Sequence, residues 1–238
     1  MLDKDTAKDT GAAPSAAVEN FLKAVYTLQQ AGSEPTDPVS TNALSEHLGV
    51  TAPSITDMAQ RMTAAGMVDY RRYRGVTLTH AGETVALKVL RRHRLIELYL
   101  VVELGYELRD VHEDAERLEH AVSDRFIEAI ARKLGDPALD PHGDPIPSAD
   151  GSIAERALLS LAELPEGMPA EVSRLKAESA EMLQHVLDRG FKLGVRVQVI
   201  ARDPFQGPVS VLVDDAPRTI GQVVAACILV EPIERDNS

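Results

Sequence analysis

The feature that most constrains how this chain can fold is a repeated spacing of histidine and glutamate in two neighbouring segments. The first segment has His93 and Glu97 at positions i and i+4. The second has four such residues at i, i+4, i+7 and i+8, namely His112, Glu116, Glu119 and His120. At about 100° per residue, each set falls on one face of an α-helix. The spacing therefore predicts two helices that each carry a face of imidazoles and carboxylates.

The chain between the two sets predicts that these faces meet. Apolar spacing indicates a long helix from about Ala81 to Glu103, an end at Gly105, and another helix from about Leu108 to Leu134. A return through Gly105 makes the two helices antiparallel neighbours across one groove. Burying several carboxylates there costs too much free energy unless their charge is compensated, and a divalent cation supplies that compensation.

The donor types indicate which ions the groove suits. Carboxylate and imidazole without thiolate suit Mn(II), Fe(II), Co(II) or Zn(II), and the lack of sulfur favours the harder ions. Six donors are enough for one ion with a rigid shell or for two ions that share a carboxylate. The competing interpretation is a solvated acidic face with incidental histidines, and spacing alone favours a metal only modestly over it.

Ahead of these helices the sequence predicts a winged helix-turn-helix. A first amphipathic helix starts near Val18 and is broken by the segment at 32–38. Two short helices follow, joined by a tight turn at Gly49, and Pro53 stands in the first turn of the second. Alternating apolar residues at 68–70 and 76–78 then predict a β-hairpin with arginines and a glycine at its tip.

The helix from Pro53 to Ala65 is the expected DNA-reading element, because the second helix of such a motif enters the major groove. Its N-terminal residues are expected to face the bases: Thr51, Pro53, Ser54, Thr56 and Asp57. Four arginines in this region are expected to neutralise phosphates: Arg61, Arg71, Arg72 and Arg74.

Composition narrows the class of protein further. The net charge of −12 argues against non-specific coating of nucleic acid, although basic residues cluster at 71–74 and again at 91–94. No apolar run approaches the roughly 20 residues that span a bilayer, and no secretory signal is visible. Cys227 is the only cysteine, so no disulfide can form within the chain. These features favour a cytoplasmic protein without a membrane partner.

The C-terminal third has a different pattern. Strand-like runs at 195–201, 209–213 and 227–231, with a helix near 179–188, predict a small β-barrel. A Pro/Gly/Asp-rich segment at 135–151 is expected to be a linker. The chain is therefore divided into a disordered leader at 1–16, a winged helix-turn-helix domain at 17–80, a helical metal-binding and dimerisation domain at 81–150, and the barrel at 156–234.

A dimer is expected on geometric grounds. One winged helix-turn-helix domain, the reading head, contacts few base pairs, whereas two reading heads about one helical turn apart bind a pseudo-palindromic site. The long helix carries an apolar face that is too hydrophobic for solvent. We expect this face to be the dimer seam, and it consists of Val85, Val89, Ile96 and Leu100.

The sequence resembles the diphtheria toxin repressor (DtxR/MntR) family of metal-dependent transcriptional regulators. The resemblance spans about Val18 to Glu231, and three motifs carry it: HRLIE (93–97), VHEDAERLEHAVSD (111–124) and GDPIP (143–147). The wing has the sequence YRRYRGVTLTHAG (70–82). The wing is most similar to the manganese-responsive branch. The resemblance implies a mainly α fold with small β: a winged helix-turn-helix, a helical dimerisation domain and a C-terminal SH3-like (FeoA-like) barrel.

The resemblance also implies a division of the ligands. It assigns His93, Glu97 and His112 to an ancillary site. It assigns Glu116, Glu119 and His120 to a primary site. Glu116 stands where iron-responsive members have cysteine and manganese-responsive members have glutamate. This agrees with the hard-ligand argument made from the residues alone.

Two positions depart from the family pattern. The first helix of relatives supplies a methionine or aspartate ligand, and this sequence has Asn20 there. The manganese branch has a glutamate one turn later, where this sequence has Lys23. Extra ancillary ligands come from the SH3-like domain in some members, and Glu171 and Glu178 are the candidates here.

The sequence therefore predicts a regulator and not an enzyme. Mn(II) is the expected effector, Fe(II) is the alternative, and other divalent metals would bind in vitro. The partners expected are a second copy of the chain and pseudo-palindromic double-stranded operator DNA, with metal-uptake genes repressed. Metal would relieve repulsion among carboxylates and tie the helix of Asn20 to the core. A carboxylate-bridged metalloenzyme and a winged-helix regulator that senses an organic ligand are the alternatives.

Overall fold

The computed structural model describes residues 14–32, 34, 36–154, 156–177 and 179–233. Most of the expected leader, at 1–13, lies outside the described residues, and the first helix begins at Ala16. The chain forms two compact units, one through Val89 and one from Leu90 onward. The predicted class, mainly α with a small amount of β, is confirmed.

The N-terminal unit is built from three helices and a hairpin: α1 (Ala16–Gln30), α2 (Thr41–Leu48), α3 (Ala52–Ala64), β1 (Val68–Arg71) and β2 (Gly75–Leu78). Ser40 caps α2 by accepting a hydrogen bond from the Ala43 amide, and Gly49 ends α2 at a φ of 64°. The core of this unit is apolar and comes from every element, including Phe21, Leu22, Leu44, Ile55 and Val76.

The hairpin is fixed at its base by a close backbone approach. Val39 and Val76 form an antiparallel bridge, and a Cβ atom at Gly75 would collide with the Val39 carbonyl oxygen. Gly75 also has a φ of 117°, which favours glycine. The wing is therefore anchored to the segment between α1 and α2, and its tip at 72–74 projects from a defined base.

The helical part of the second unit consists of the latter part of α4 (His80–Leu104), α5 (Val111–Leu118) and α6 (Asp124–Lys133). The expected single helix from Leu108 to Leu134 is wrong, because the chain breaks between Leu118 and Asp124. The Ser123 hydroxyl accepts a hydrogen bond from the Phe126 amide and starts α6 as a new helix.

The expected dimer seam is wrong at Ile96 and Leu100. Both side chains are buried inside one chain, in a core that also contains Val111 and Ile127. An apolar stripe on a helix shows that the face is covered, but it does not show by what. The large apolar side chains that stay exposed in this region are Val102, Leu104, Tyr106, Leu118 and Phe126.

The segment at 135–151, expected as a linker, is folded onto the helical core. Leu139 bridges Pro145, and Ile146 packs into the same core as Leu95. Arg91 and Arg94 on α4 donate hydrogen bonds to the carbonyl oxygens of Pro147 and Pro145. The polar and proline-rich composition of this segment therefore marks an ordered loop.

The C-terminal part is a six-stranded antiparallel sheet with strand order β3-β8-β4-β5-β6-β7. Its elements are β3 (Leu159–Ser160), β4 (Pro169–Leu175), α7 (Ala180–Asp188), β5 (Arg196–Arg202), β6 (Val209–Val213), β7 (Ala216–Ile220), α8 (Gln222–Cys227) and β8 (Ile228–Pro232). The three predicted strands correspond to β5, β6 and β8, whereas β3, β4 and β7 were not predicted. Among the described helices, none is long and apolar enough to cross a membrane.

Candidate metal centre

His93 lies at the centre of a buried group of charged side chains. Its Nε2 is 3.0 Å from Glu97 Oε1, and its Nδ1 is 2.6 Å from Glu119 Oε2. Glu97 is 3 % exposed and Glu119 is fully buried. A neutral imidazole has one N–H, so it can donate to only one of these carboxylates. The second contact requires either another proton or a cation.

Local helix geometry brings the carboxylates to this histidine. His93 and Glu97 are one turn apart on α4. Glu119 follows the last residue of α5 but keeps the helical conformation, with φ −57° and ψ −28°, and its amide donates to the Ala115 carbonyl oxygen. His120 lies in the turn beyond, with Nε2 3.3 Å from Glu119 Oε1. The predicted helical spacing therefore holds through Glu119, although the helix ends there.

Among the described residues, two sets of three have ligand atoms close enough to hold an ion, within 4.8 Å of one another. One set is His93, His112 and Glu116, and the other is Glu116, Glu119 and His120. Glu116 belongs to both, so the donors suit two ions that share a carboxylate. The side chain of His112 is largely exposed, which leaves a path from solvent into the cluster.

Glu97 connects both histidines of the first set. Its Oε1 is 3.3 Å from His112 Nδ1, and the rings of His93 and His112 meet edge to face, 4.9 Å apart. Burial raises the pKa of the Glu97 carboxyl. The hydrogen bonds from His112 and His93, aided by the charges of His93 and His142, outweigh burial and hold the pKa well below its usual range. Glu97 is therefore an anionic donor at neutral pH.

The set of ligands predicted from the sequence contains neither His142 nor Asp140. The structure places His142 Nε2 3.9 Å from Glu97 Oε1, and burial lowers the pKa of His142. Asp140 is nearly fully buried; burial, Asp144 and Glu97 raise its pKa to about 7. Both residues lie in a loop, where no helical period signals a shared face. The other three histidines outside the cluster, His47, His80 and His185, are exposed.

Three of the predicted ligands belong to other parts of the chain or lie outside the described residues. Asn20 is half-buried on α1, in the N-terminal unit, with Lys23 one turn later. Glu171 is exposed on β4 and belongs to neither group of candidate ligands among the described residues. Glu178 lies outside the described residues. The roles of Asn20, Glu171 and Glu178 remain predictions.

The hydroxyl groups expected to face DNA are engaged with their own helix. Thr51 Oγ1 accepts a hydrogen bond from the Ser54 amide and lies 2.9 Å from Ser54 Oγ. Thr56 Oγ1 donates to the Ala52 carbonyl oxygen. Exposed Pro53 occupies the first turn, and Asp57 forms an i, i+4 ion pair with Arg61 at 3.2 Å. The start of α3 is therefore rigid, and its exposed surface is short and polar.

The two arginine clusters differ in exposure. In the wing, Arg71 pairs with Asp69 at 3.1 Å, and the Arg72 guanidinium lies over the exposed ring of Tyr73. Arg74 is exposed as well. In the second cluster, each side chain has an acidic partner within its unit: Arg91 with Glu128, Arg92 with Asp124, and Arg94 with Asp140 and Asp144. The second cluster therefore stabilises the helical domain, and the wing presents its charge to solvent.

Three family models match consecutive parts of the chain. Residues 15–76 match the iron dependent repressor N-terminal DNA binding domain. Residues 79–148 match the iron dependent repressor metal binding and dimerisation domain, which contains the candidate metal centre. Residues 159–232 match the FeoA domain, which is the six-stranded sheet.

Individual relatives agree with these matches. A solved manganese-dependent transcriptional repressor in complex with manganese is 39% identical, with a TM-score of 0.84, over 91% of this chain and 100% of that one. The diphtheria toxin repressor of Corynebacterium diphtheriae is 27% identical over 85% of this chain and 94% of its own length. An HTH-type transcriptional regulator of Methanocaldococcus jannaschii is 34% identical over 49% of this chain and 90% of its own.

The relatives with an established role are transcriptional repressors and not enzymes, which removes the metalloenzyme alternative. Both iron-dependent and manganese-dependent members are among them. The chain belongs to the DtxR/MntR family of iron- and manganese-dependent transcriptional repressors, in the form that carries a C-terminal FeoA domain.

Proposed function

We propose that this chain is a metal-dependent DNA-binding repressor, with Mn(II) as its effector and Fe(II) as the alternative. The observation that carries the proposal is the buried cluster around His93, where imidazole nitrogens and carboxylate oxygens from α4, α5 and the following turn converge within a few ångströms. The chain brings no thiolate to this cluster, since its one cysteine is Cys227 in the C-terminal domain. Hard donors of this kind suit Mn(II).

We assign the ligands to two positions that share one carboxylate. Glu116, Glu119 and His120 would hold one ion. His93, His112 and Glu97 would hold the other, with Glu116 between the two sets and His142 beside Glu97. A bound cation supplies positive charge among these buried carboxylates. The residues of α4 and of the turn after α5 are thereby held together more tightly.

The reading head would respond to this change through α1. We propose that Asn20, at the position where relatives have a ligand, joins the cluster only in the metal-bound protein. The reading head would then have one fixed orientation in the metal-bound protein and a variable orientation in the metal-free protein. A difference in metal affinity of a few kcal/mol between the two states is enough to shift their populations.

For the DNA contact, we propose that the N-terminal end of α3 enters the major groove while the wing contacts the backbone. The exposed charges of Arg61, Arg71, Arg72 and Arg74 suit phosphate oxygens, and Thr51, Pro53, Ser54, Thr56 and Asp57 lie at or near the groove-facing end of α3. Since the hydroxyls of Thr51 and Thr56 already bond within the helix, we expect shape and methyl contacts to matter more than their hydrogen bonds.

We further propose that two copies associate through the apolar side chains that remain exposed on the helical domain, among them Val102 and Phe126. Val102→Asp should weaken the dimer by at least tenfold, because it would bury an unpaired charge in the seam. Val223→Asp on α8 is the matched control, since Val223 is 70% exposed and Val102 is 60% exposed. Sedimentation equilibrium measures both, and an equal dimer affinity in the two variants would rule out this seam.

The proposed function is tested by selecting bound duplexes from a random-sequence pool, anaerobically, with Mn(II), Fe(II), Zn(II) or a chelator. We expect Mn(II) to enrich a pseudo-palindrome whose half-sites lie about one helical turn, roughly 10 bp, apart. The chelator should abolish the enrichment. Equal enrichment with and without metal would contradict the proposal and favour a regulator that senses an organic ligand.

A further inference from the structure

The loop at 140–144 is held firmly from the α4 side. The Arg94 guanidinium donates hydrogen bonds to the Pro145 carbonyl oxygen and to Asp144 Oδ1, and its Nε lies 3.6 Å from Asp140 Oδ2. Asp140 Oδ1 accepts hydrogen bonds from the amides of His142 and Asp144, at 2.8 and 2.9 Å. The loop is therefore folded around a buried carboxylate that α4 itself engages.

The same loop lies directly on β4 of the FeoA domain. The Leu175 amide donates a hydrogen bond to the His142 carbonyl oxygen at 2.9 Å. The Arg174 guanidinium forms an ion pair with Asp144. A Cβ atom at Gly143, whose φ is 88°, would collide with the Ser173 carbonyl oxygen. Only glycine allows the loop to lie this close to the strand.

A β-bulge places these contacts at one point of the strand. The register of β4 against β8 shifts between Val172 and Arg174, so Ser173 is the extra residue. Bulges bend a strand and redirect the side chains beside them. Here the bulge is where the Ser173 carbonyl oxygen and the Arg174 side chain meet the loop. The FeoA domain therefore contacts the loop through a local irregularity and not through the regular edge of its sheet.

The loop side chain that reaches the metal cluster is His142, whose Nε2 is 3.9 Å from Glu97 Oε1. We propose that the FeoA domain sets the metal affinity of the Glu97 end of the cluster through Arg174, acting as a positioning residue. Arg174 holds Asp144, Asp144 is shared with Arg94 on α4, and together they fix the loop so that His142 faces Glu97. Among the described residues, Arg174 forms its ion pair with Asp144 and not with a ligand of the cluster. This inference rests on the proposed function.

The test uses the full chain and MnCl₂ alone, with calorimetric titration to separate classes of Mn(II) site. Glu97→Gln and His120→Ala identify which class belongs to which end of the cluster. The test variant is Arg174→Met, and Arg174→Lys is the conservative variant that keeps the charge. Arg202→Met is the matched control. Arg202 is similarly buried, 24% against 29% exposed, and it donates to the carbonyl oxygens of Leu161 and Ala162 in the same domain.

We expect Arg174→Met to raise the Kd of the Glu97 class by about tenfold or more, as removing a residue that orients a metal ligand typically does. The His120 class should be unchanged, and Arg174→Lys should restore most of the affinity. Arg202→Met should lower the unfolding temperature of the metal-free chain without changing either Kd. This split between the two classes is a result that a merely structural role would not give.

Unchanged Kd values in Arg174→Met, or an equal loss in Arg202→Met, would overturn the inference and leave the proposed function intact. The inference would also be overturned if the Glu97→Gln variant bound Mn(II) as tightly as the wild type, with every class of site retained. A wild-type chain that binds no Mn(II) would instead overturn the proposed function, and this inference with it.

Discussion

The metal cluster and the reading head place their functional side chains in opposite surroundings. His93, Glu97 and Glu119 are buried, and each contacts other charged or titratable groups of the cluster. The wing instead exposes its arginines, with Tyr73 91% exposed at the tip. In the first region the functional groups are part of the core, whereas in the second they stand on a core that Gly75 and Val39 help to fix.

This difference determines how function and stability are linked in each region. A buried carboxylate without its partner costs several kcal/mol, so changes in the cluster should alter stability and metal response together. An exposed arginine contributes little to folding, because solvent screens its ion pair. Changes in the wing should therefore alter DNA binding alone. The following predictions test that separation, in order of expected effect.

The largest effect is expected for Glu119→Ala. It leaves His93 Nδ1 and His120 Nε2 without their shared carboxylate, at a position that is fully buried. We expect the metal-free chain to lose about 3 kcal/mol of unfolding free energy. At Mn(II) near 100 times Kd the wild type should gain about 2.7 kcal/mol, and the variant should gain much less. Urea unfolding with and without Mn(II) measures both quantities.

Glu113→Ala is the control for that variant. Glu113 is on the same helix, is strongly exposed and pairs with Arg117. It should retain the wild-type response to Mn(II). If Glu119→Ala were stabilised by Mn(II) as much as Glu113→Ala, Glu119 would not be a ligand, and the buried region would not be linked to metal in the way proposed above.

A smaller and more selective effect is expected for the triple change of Arg71, Arg72 and Arg74 to alanine. Unfolding and Mn(II) affinity should be unchanged. Binding should weaken on all DNA sequences, and the slope of log K against log salt should fall by about 0.9 for each phosphate that the protein no longer neutralises. Fluorescence anisotropy over a salt series measures the slope. An unchanged slope, matching that of Arg132→Ala on α6, would show that the wing does not bind phosphates.

Regular spacing predicted the cluster well, and the errors have a common cause. His93 and Glu97 share a face because a helix has a fixed period, so that pair could be predicted from the sequence. Ser123 was overlooked as a cap because apolar residues keep a helical period on both sides of it. His142 could not be found by spacing, since a contact between Leu175 and the loop sets its position. Sequence patterns therefore predict faces within an element better than contacts between elements.

The same limit applies to Ile96 and Leu100. Their apolar stripe predicted a covered face, but only packing against Val111 and Ile127 shows that the cover is part of the same chain. By contrast, the winged helix-turn-helix was predicted in detail because its signals are local. Ser40, Gly49 and Thr51 act on the backbone within a few residues, and each stands where a helix begins or ends.

The smallest effect is expected at the start of α3. This is where the reading head most resembles the metal cluster, because its polar side chains bond within the fold. Thr51 Oγ1 accepts from the Ser54 amide, so Thr51→Ala should cost about 1 kcal/mol in the N-terminal unit through loss of the cap. Ser54→Ala keeps that acceptor and should hardly change stability. Hydrogen exchange at the amides of the first turn of α3 measures the cap, and anisotropy measures DNA affinity in both variants. If the Ser54 hydroxyl contacts DNA, Ser54→Ala lowers affinity while exchange stays slow. If the hydroxyl serves only the turn, affinity falls only in Thr51→Ala, in step with faster exchange. DNA binding would then depend on local stability at this one point, as metal binding does in the cluster.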